Sequence, residues 1–145
     1  MPMLAGHLAL MVAALFTGAA FYINFAEQPA RMLLDTKALL TQWKPSYKRG
    51  YTMQATLAIV GCILGLIAAW QTRQPAFAAG ALLIVANWPW TVFGIFPLNH
   101  ILMATDPAEA GDETRRLLAR WNKLHAVRTG LGTLAVIAFL VALPT

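Results

Sequence analysis

The segment LLARWNKLHAVRTG, Leu117–Gly130, joins a charged stretch to the last apolar run of the chain. At 3.6 residues per turn, Leu117, Trp121, Leu124, His125 and Arg128 fall on one helical face. An indole, an imidazole and a guanidinium therefore share one stripe at the edge of an apolar helix. The other polar residues of the chain can be read as a scaffold brought up to this stripe.

Outward from it, the composition sets the class. Of 145 residues, 59% are hydrophobic and 12% charged. Soluble domains carry about a quarter charged residues. Here the charges cluster in two segments, as in a polytopic membrane protein. The net charge of +5 does not point to nucleic acid, because basic residues beside apolar spans follow from the positive-inside rule and from anionic lipid. Cys62 has no second cysteine to pair with and reads as a small packing residue.

Four apolar runs are long enough to cross a bilayer: about 3–25, 53–70, 77–96 and 126–143. Backbone groups in lipid must be satisfied within their own segment, so all four are helices. The expected fold is an all-α, four-helix transmembrane bundle, up-down-up-down, forming one integral membrane domain. No basic residue precedes the first run, so it reads as a retained span rather than a signal peptide. Arg31, Lys37, Lys44, Lys48 and Arg49 lie in the first loop, and Arg115, Arg116, Arg120 and Lys123 in the third. Only Arg73 lies in the second. Loops one and three are therefore expected in the cytoplasm of a cell with this protein in its inner (plasma) membrane, and both termini outside.

The first loop is amphipathic from Met32 to Trp43. It is expected to form a short interfacial helix with Trp43 at headgroup depth, ended by Lys44-Pro45. Pro29 is expected to end or bend the first helix, and Pro89 in Asn87-Trp88-Pro89-Trp90 to bend the third. In the third loop, Asp106-Pro107-Ala108-Glu109 has a helix-start signature and Gly111 interrupts it. From Asp112 a helix of about 30 residues runs into the last span. Gly61 and Gly65, and Ala14 and Gly18, are small-residue pairs. They suit close helix contact within the bundle, with a homo-oligomer as the alternative.

Polar residues within spans require partners or a cavity. Asn24, Glu27, Gln54, Asn99, His125 and Arg128 all lie near helix ends on one side, so topology alone brings them to one depth. Glu27 can pair with Arg31 at i, i+4. One reading is a structural polar cap, in which Glu27 neutralises Arg128. The other is a small-molecule site at the cytoplasmic interface, favoured by a titratable imidazole beside a fixed cation. Phe21, Trp88, Trp90 and Trp121 are candidate walls for a flat apolar ligand. No metal or cofactor is expected: His7 lies about 25 Å from Asn24 along the helix, and no Glu-x-x-His pair is present. Glu27, His100 and His125 form the one conceivable metal set.

The pieces Tyr22-Ile23-Asn24-Phe25, Glu27-Gln28-Pro29-Ala30-Arg31, Trp43-Lys44-Pro45, Pro97-Leu98-Asn99 and Trp121-x-x-x-His125-x-x-Arg128 together resemble the anthrone-oxygenase-like family of small four-span membrane proteins. The resemblance implies oxidation of anthrones to anthraquinones with molecular oxygen, without an evident metal or flavin. It implies His125 as the base, Arg128 and Asn99 as stabilisers of an enolate oxygen, and Trp121 as a stacking surface, with Asn24, Glu27 and Trp88 lining the site. The alternative is a non-catalytic membrane protein whose polar cluster binds a lipid, a quinone or a partner subunit.

Overall fold

A computed structural model describes residues 3–144. Four helices are long and apolar enough to cross a membrane: α1 (Leu4–Arg31), α2 (Thr36–Thr72), α3 (Pro75–Ala104) and α4 (Asp112–Ala142). A short 3₁₀ turn, Pro107–Glu109, lies between α3 and α4. Each helix packs on its sequence neighbours, and α4 closes the ring on α1. Loops this short make neighbours antiparallel, as in an up-down bundle.

α4 shows why the chain packs this way. Its buried residues are Thr114, Leu118, Trp121, His125, Arg128, Gly132, Ala135, Phe139 and Ala142. They alternate three and four apart, the seam of a left-handed bundle. Outward positions such as Leu134, Ile137, Leu140 and Val141 are exposed and apolar, which suits contact with lipid. Lipid tails give no hydrophobic drive between helices, so close packing must hold them. Gly65 and Gly80 supply it by leaving room for the Phe139 ring: a Cβ on Gly80 would lie 2.5 Å from that ring. Gly61 likewise faces Val12 and Ile84 inside the bundle. Ala14 and Gly18 differ. Both are exposed on the outer face of α1 rather than packed within the bundle.

Two apolar cores result. One holds Phe16, Phe77, Ile84 and Phe139 with many alanines. The other, nearer the charged loops, holds Leu39, Leu40, Trp43, Ile95, Leu98, Leu102, Leu118 and Trp121. Between them lies a layer of buried polar side chains.

Several expectations from the sequence are revised. The first loop does not carry a separate interfacial helix. Asp35 caps a helix, its side chain accepting from the Ala38 N–H at 2.9 Å, but that helix is the start of α2 and runs through Pro45. Packing overrides the proline. Leu39, Leu40 and Trp43 before it are fully buried, and Trp43 stacks on Tyr47 across it with ring centroids 5.0 Å apart. Trp43 is thus a core residue of the bundle.

Pro29 does not end α1. The Gln28 N–H reaches back five residues to the Ile23 carbonyl, making a π-helical turn over Ile23–Glu27. The Phe96 N–H does the same to Thr91 over Thr91–Ile95. Each wide turn stands directly before a proline, Pro29 and Pro97. A proline ring clashes with the carbonyl four residues back. Inserting one residue into the turn relieves that clash and keeps the helix going, and such turns recur at functional sites. Near Pro89 the Asn87 side chain donates to the Ile84 carbonyl at 3.0 Å.

The charged loops meet at one end of the bundle. The Arg115 guanidinium donates to the carbonyls of Met32 and Leu34 and to Thr36 Oγ1. Lys44 Nζ donates to the carbonyls of Met103 and Thr105 at 3.0 and 2.6 Å. Both cations satisfy helix-end carbonyls that have no intrahelical donor.

Candidate functional site

The polar layer surrounds a small open cleft with about 30 Å³ of free volume. Side chains from all four helices line it, including Glu27 from α1, Tyr47 and Gln54 from α2, Asn99 from α3, and Trp121, His125 and Arg128 from α4.

Asn24 organises one wall. The π turn aims its side chain at α4, where Asn122, His125 and Thr129 share a face. Asn24 Nδ2 donates to the Asn122 backbone carbonyl at 2.8 Å and to Asn122 Oδ1 at 2.7 Å. A backbone carbonyl only accepts, so the amide nitrogen is on that side and Oδ1 on the other. Oδ1 accepts from Thr129 Oγ1 at 2.8 Å and stands 3.0 Å from His125 Nδ1. An amide oxygen cannot donate, so Nδ1 carries the proton. In a neutral imidazole Nε2 is then the free lone pair, with no protein partner among the described residues. A second-helix carboxamide thereby fixes both the tautomer and the ring.

Trp121 supports the same ring. Its indole stacks on His125 with centroids 4.9 Å apart, and Trp43 packs edge-on against it at 5.7 Å. Trp121 Nε1 donates to Asn99 Oδ1 at 2.9 Å. That fixes the Asn99 amide the other way round: Nδ2 is buried without a partner.

Arg128 is 6% exposed and its Nε is buried without a partner. Its guanidinium lies 5.6 Å from the Phe16 ring centroid. Glu27 does not neutralise it. That carboxylate is paired with Arg31, which also donates to Gln28 Oε1 at 2.7 Å. A polar cap in which Glu27 balances Arg128 is therefore not what forms. A buried cation without an anion is costly, on the order of several kcal/mol. Gln54 Nε2 is another buried donor without a partner. The cleft thus presents three unused donor groups, from Gln54, Asn99 and Arg128, opposite an imidazole lone pair. It suits an oxygen atom that gains negative charge while a nearby carbon loses a proton.

The remaining candidates divide. Trp88 is partly exposed and donates to the Ala55 carbonyl at 3.4 Å; it lines a neighbouring cavity rather than the cleft. Trp90 donates to the Leu124 carbonyl at 3.0 Å. Phe21 faces outward, stacked on Phe25, and forms no wall. His100 is exposed while its neighbour Asn99 is buried, so the two point apart. No three His, Cys, Asp or Glu side chains are grouped to hold a metal among the described residues. Tyr47 and Thr129 take part in the site without having been singled out in the sequence; helical spacing placed Asn122 off the stripe of Trp121, His125 and Arg128, yet its side chain meets Asn24. The i, i+3, i+7 spacing of Asn122, His125 and Thr129 was the available signal.

The sequence profile of the anthrone oxygenase family matches residues 43–138. The chain belongs to this family. It is 30% identical over 131 residues to an anthrone oxygenase of Aspergillus fumigatus, covering 83% of this chain and 81% of that one. An anthrone oxygenase of Claviceps purpurea is 26% identical over 141 residues, covering 85% and 79%. One of Pestalotiopsis fici is 32% identical over 116 residues, covering 68% and 82%. No solved structure matches the chain. All three anthrone oxygenases are matched over most of their length.

Proposed function

We propose that the protein is a cofactor-independent oxygenase acting on a flat, anthrone-like or phenolic substrate held in the cleft. His125, Arg128 and Asn99 carry the chemistry. Trp121, Asn24 and Glu27 shape or orient the site, and Trp88 contributes from its flank. The observation that carries this reading is the pairing of an unneutralised buried guanidinium with an imidazole whose free lone pair is set by Asn24.

The steps follow from those groups. His125 Nε2 takes a proton from the methylene carbon of the substrate, and the electron pair moves into the ketone oxygen. Arg128, with the Asn99 amide, stabilises that enolate in a poorly hydrated site. The carbanion adds dioxygen, and the resulting peroxide anion recovers the proton from the imidazolium. Loss of the second hydrogen from the same carbon breaks the O–O bond and expels water. Methylene and dioxygen become carbonyl and water, and no external reductant is consumed. The two groups stand one turn apart on α4, a spacing of about 5–6 Å between Cβ atoms, which suits a proton and an oxygen at opposite ends of one ring.

The chain as a whole is proposed to be one membrane domain in the inner (plasma) membrane, with the cleft at the cytoplasmic interface and the termini outside. The excess of basic residues in loops one and three supports that orientation. Lipid is its surrounding partner, and the outward Ala14 and Gly18 offer a small-residue face for a homo-oligomer. The test is direct. Protein reconstituted in lipid and given an anthrone should produce the anthraquinone with matching oxygen uptake, above the protein-free rate. An unchanged rate, with a co-purified lipid or quinone in the cleft, would replace the enzyme reading with a binding one.

A further inference from the structure

A second, much smaller cavity, of about 10 Å³, lies beside the first, between α2 and α3. Tyr51, Gln54 and Arg128 line both, so these three side chains form the partition. Its outer rim is Trp88 and Val92, which are 37% and 39% exposed on the outer surface of the bundle. Its walls include Ala55, Ala58, Val92 and Phe96, which are apolar, and the Thr91 side chain. At the inner end are three buried polar atoms without partners: Gln54 Nε2, Asn87 Oδ1 and Arg128 Nε.

We propose that this cavity is the dioxygen site of the enzyme, filled from the bilayer. The proposal rests on the oxygenase reading given above. A carbanion in the cleft needs dioxygen to arrive beside it without admitting bulk water. Dioxygen is apolar and more soluble in hydrocarbon than in water, so a small apolar cavity open to lipid collects it. Cavity two has those walls and that rim, and no imidazole or carboxylate lines it among the described residues.

The inner end fits what dioxygen becomes. The carbanion gives up one electron, leaving a carbon radical and superoxide, whose negative charge forms against Arg128. The two combine into the new C–O bond, with the charge now on the outer peroxide oxygen. That oxygen takes the proton held by the His125 imidazolium. The hydroperoxide then has one O–H to donate and lone pairs to accept. Asn87 Oδ1 and Gln54 Nε2 are the matching unpartnered acceptor and donor. The partition residue Arg128 thus serves the enolate on one side and the reduced oxygen on the other.

The test uses the full-length protein in lipid and two variants at the rim, Ala55→Phe and Val92→Trp, neither of which touches the substrate cleft. With anthrone saturating and dissolved oxygen varied, each variant should raise KM for oxygen by about tenfold. The KM for anthrone and kcat extrapolated to saturating oxygen should stay as in the parent. Recovery under pure oxygen also shows that the variants are folded. Crystals pressurised with xenon, which fills apolar cavities, should show it between Tyr51 and Val92 in the parent and not in Ala55→Phe. An unchanged KM for oxygen in both variants, or no xenon in the parent cavity, overturns the proposal. Xenon in the cavity of a protein that oxidises no anthrone supports the gas site and overturns the oxygenase reading instead.

Discussion

Asn24 Oδ1 on α1 stands 3.0 Å from His125 Nδ1 on α4, and this contact decides which imidazole nitrogen is free. Asn24→Leu keeps the volume and removes the acceptor. The ring then loses its fixed tautomer and its aim. kcat with an anthrone should fall by about 10²-fold, the usual cost of a small misplacement of a reacting group, with KM little changed. A parent-like kcat in this variant would show that Asn24 does not orient the base.

Arg128→Met separates catalysis from stability. The substitution replaces a buried guanidinium with an apolar side chain that fills part of its space. Removing an unpaired buried charge is neutral or stabilising, so the thermal midpoint should hold or rise. Turnover should fall by about 10²–10³-fold, the loss expected when an oxyanion donor is removed. A lowered midpoint with intact turnover would assign Arg128 a structural role.

Trp121→Phe tests the support beneath the imidazole. The ring stack survives, but Asn99 Oδ1 loses the donor now 2.9 Å away. A buried acceptor left unpaired costs about 1–3 kcal/mol, to be read from unfolding in mixed micelles.

Gly80→Leu tests the packing of the far core. Its Cβ would stand 2.5 Å from the Phe139 ring, which is fully buried. Overpacking of this kind costs about 1–3 kcal/mol. Adding Phe139→Leu should recover part of the loss, because the two substitutions exchange volume across one contact.

Much of this fold was legible in the apolar runs, whose length fixes four helices, and in Asp112, which was expected to open the last one and does. The clustering of Asn99, Trp121, His125 and Arg128 around one cleft followed from the period of α4 and from antiparallel connection. The prolines were harder. Pro45 reads as a terminator, but the stop signal is local while Trp43 and Tyr47 pack on both sides of it. Pro29 reads as an end or bend and Pro97 carried no such reading, whereas before both the chain widens the turn. Those π turns direct Asn24 and the Thr91 region inward, and nothing in hydrophobic periodicity distinguishes a widened turn from a kink. The partner of Glu27 was also ambiguous. Spacing allowed Arg31, topology allowed Arg128, and the nearer residue on the same helix wins because it needs no tertiary alignment.

The central claim is that the His125 imidazole removes the proton that starts oxygen addition. Oxygen uptake by proteoliposomes given an anthrone, parent against His125→Ala, measures it most directly. The account predicts a drop of about 10²–10⁴-fold toward the protein-free rate, in a variant that still inserts and keeps its helical content. Uptake equal to the parent in that folded variant would contradict it.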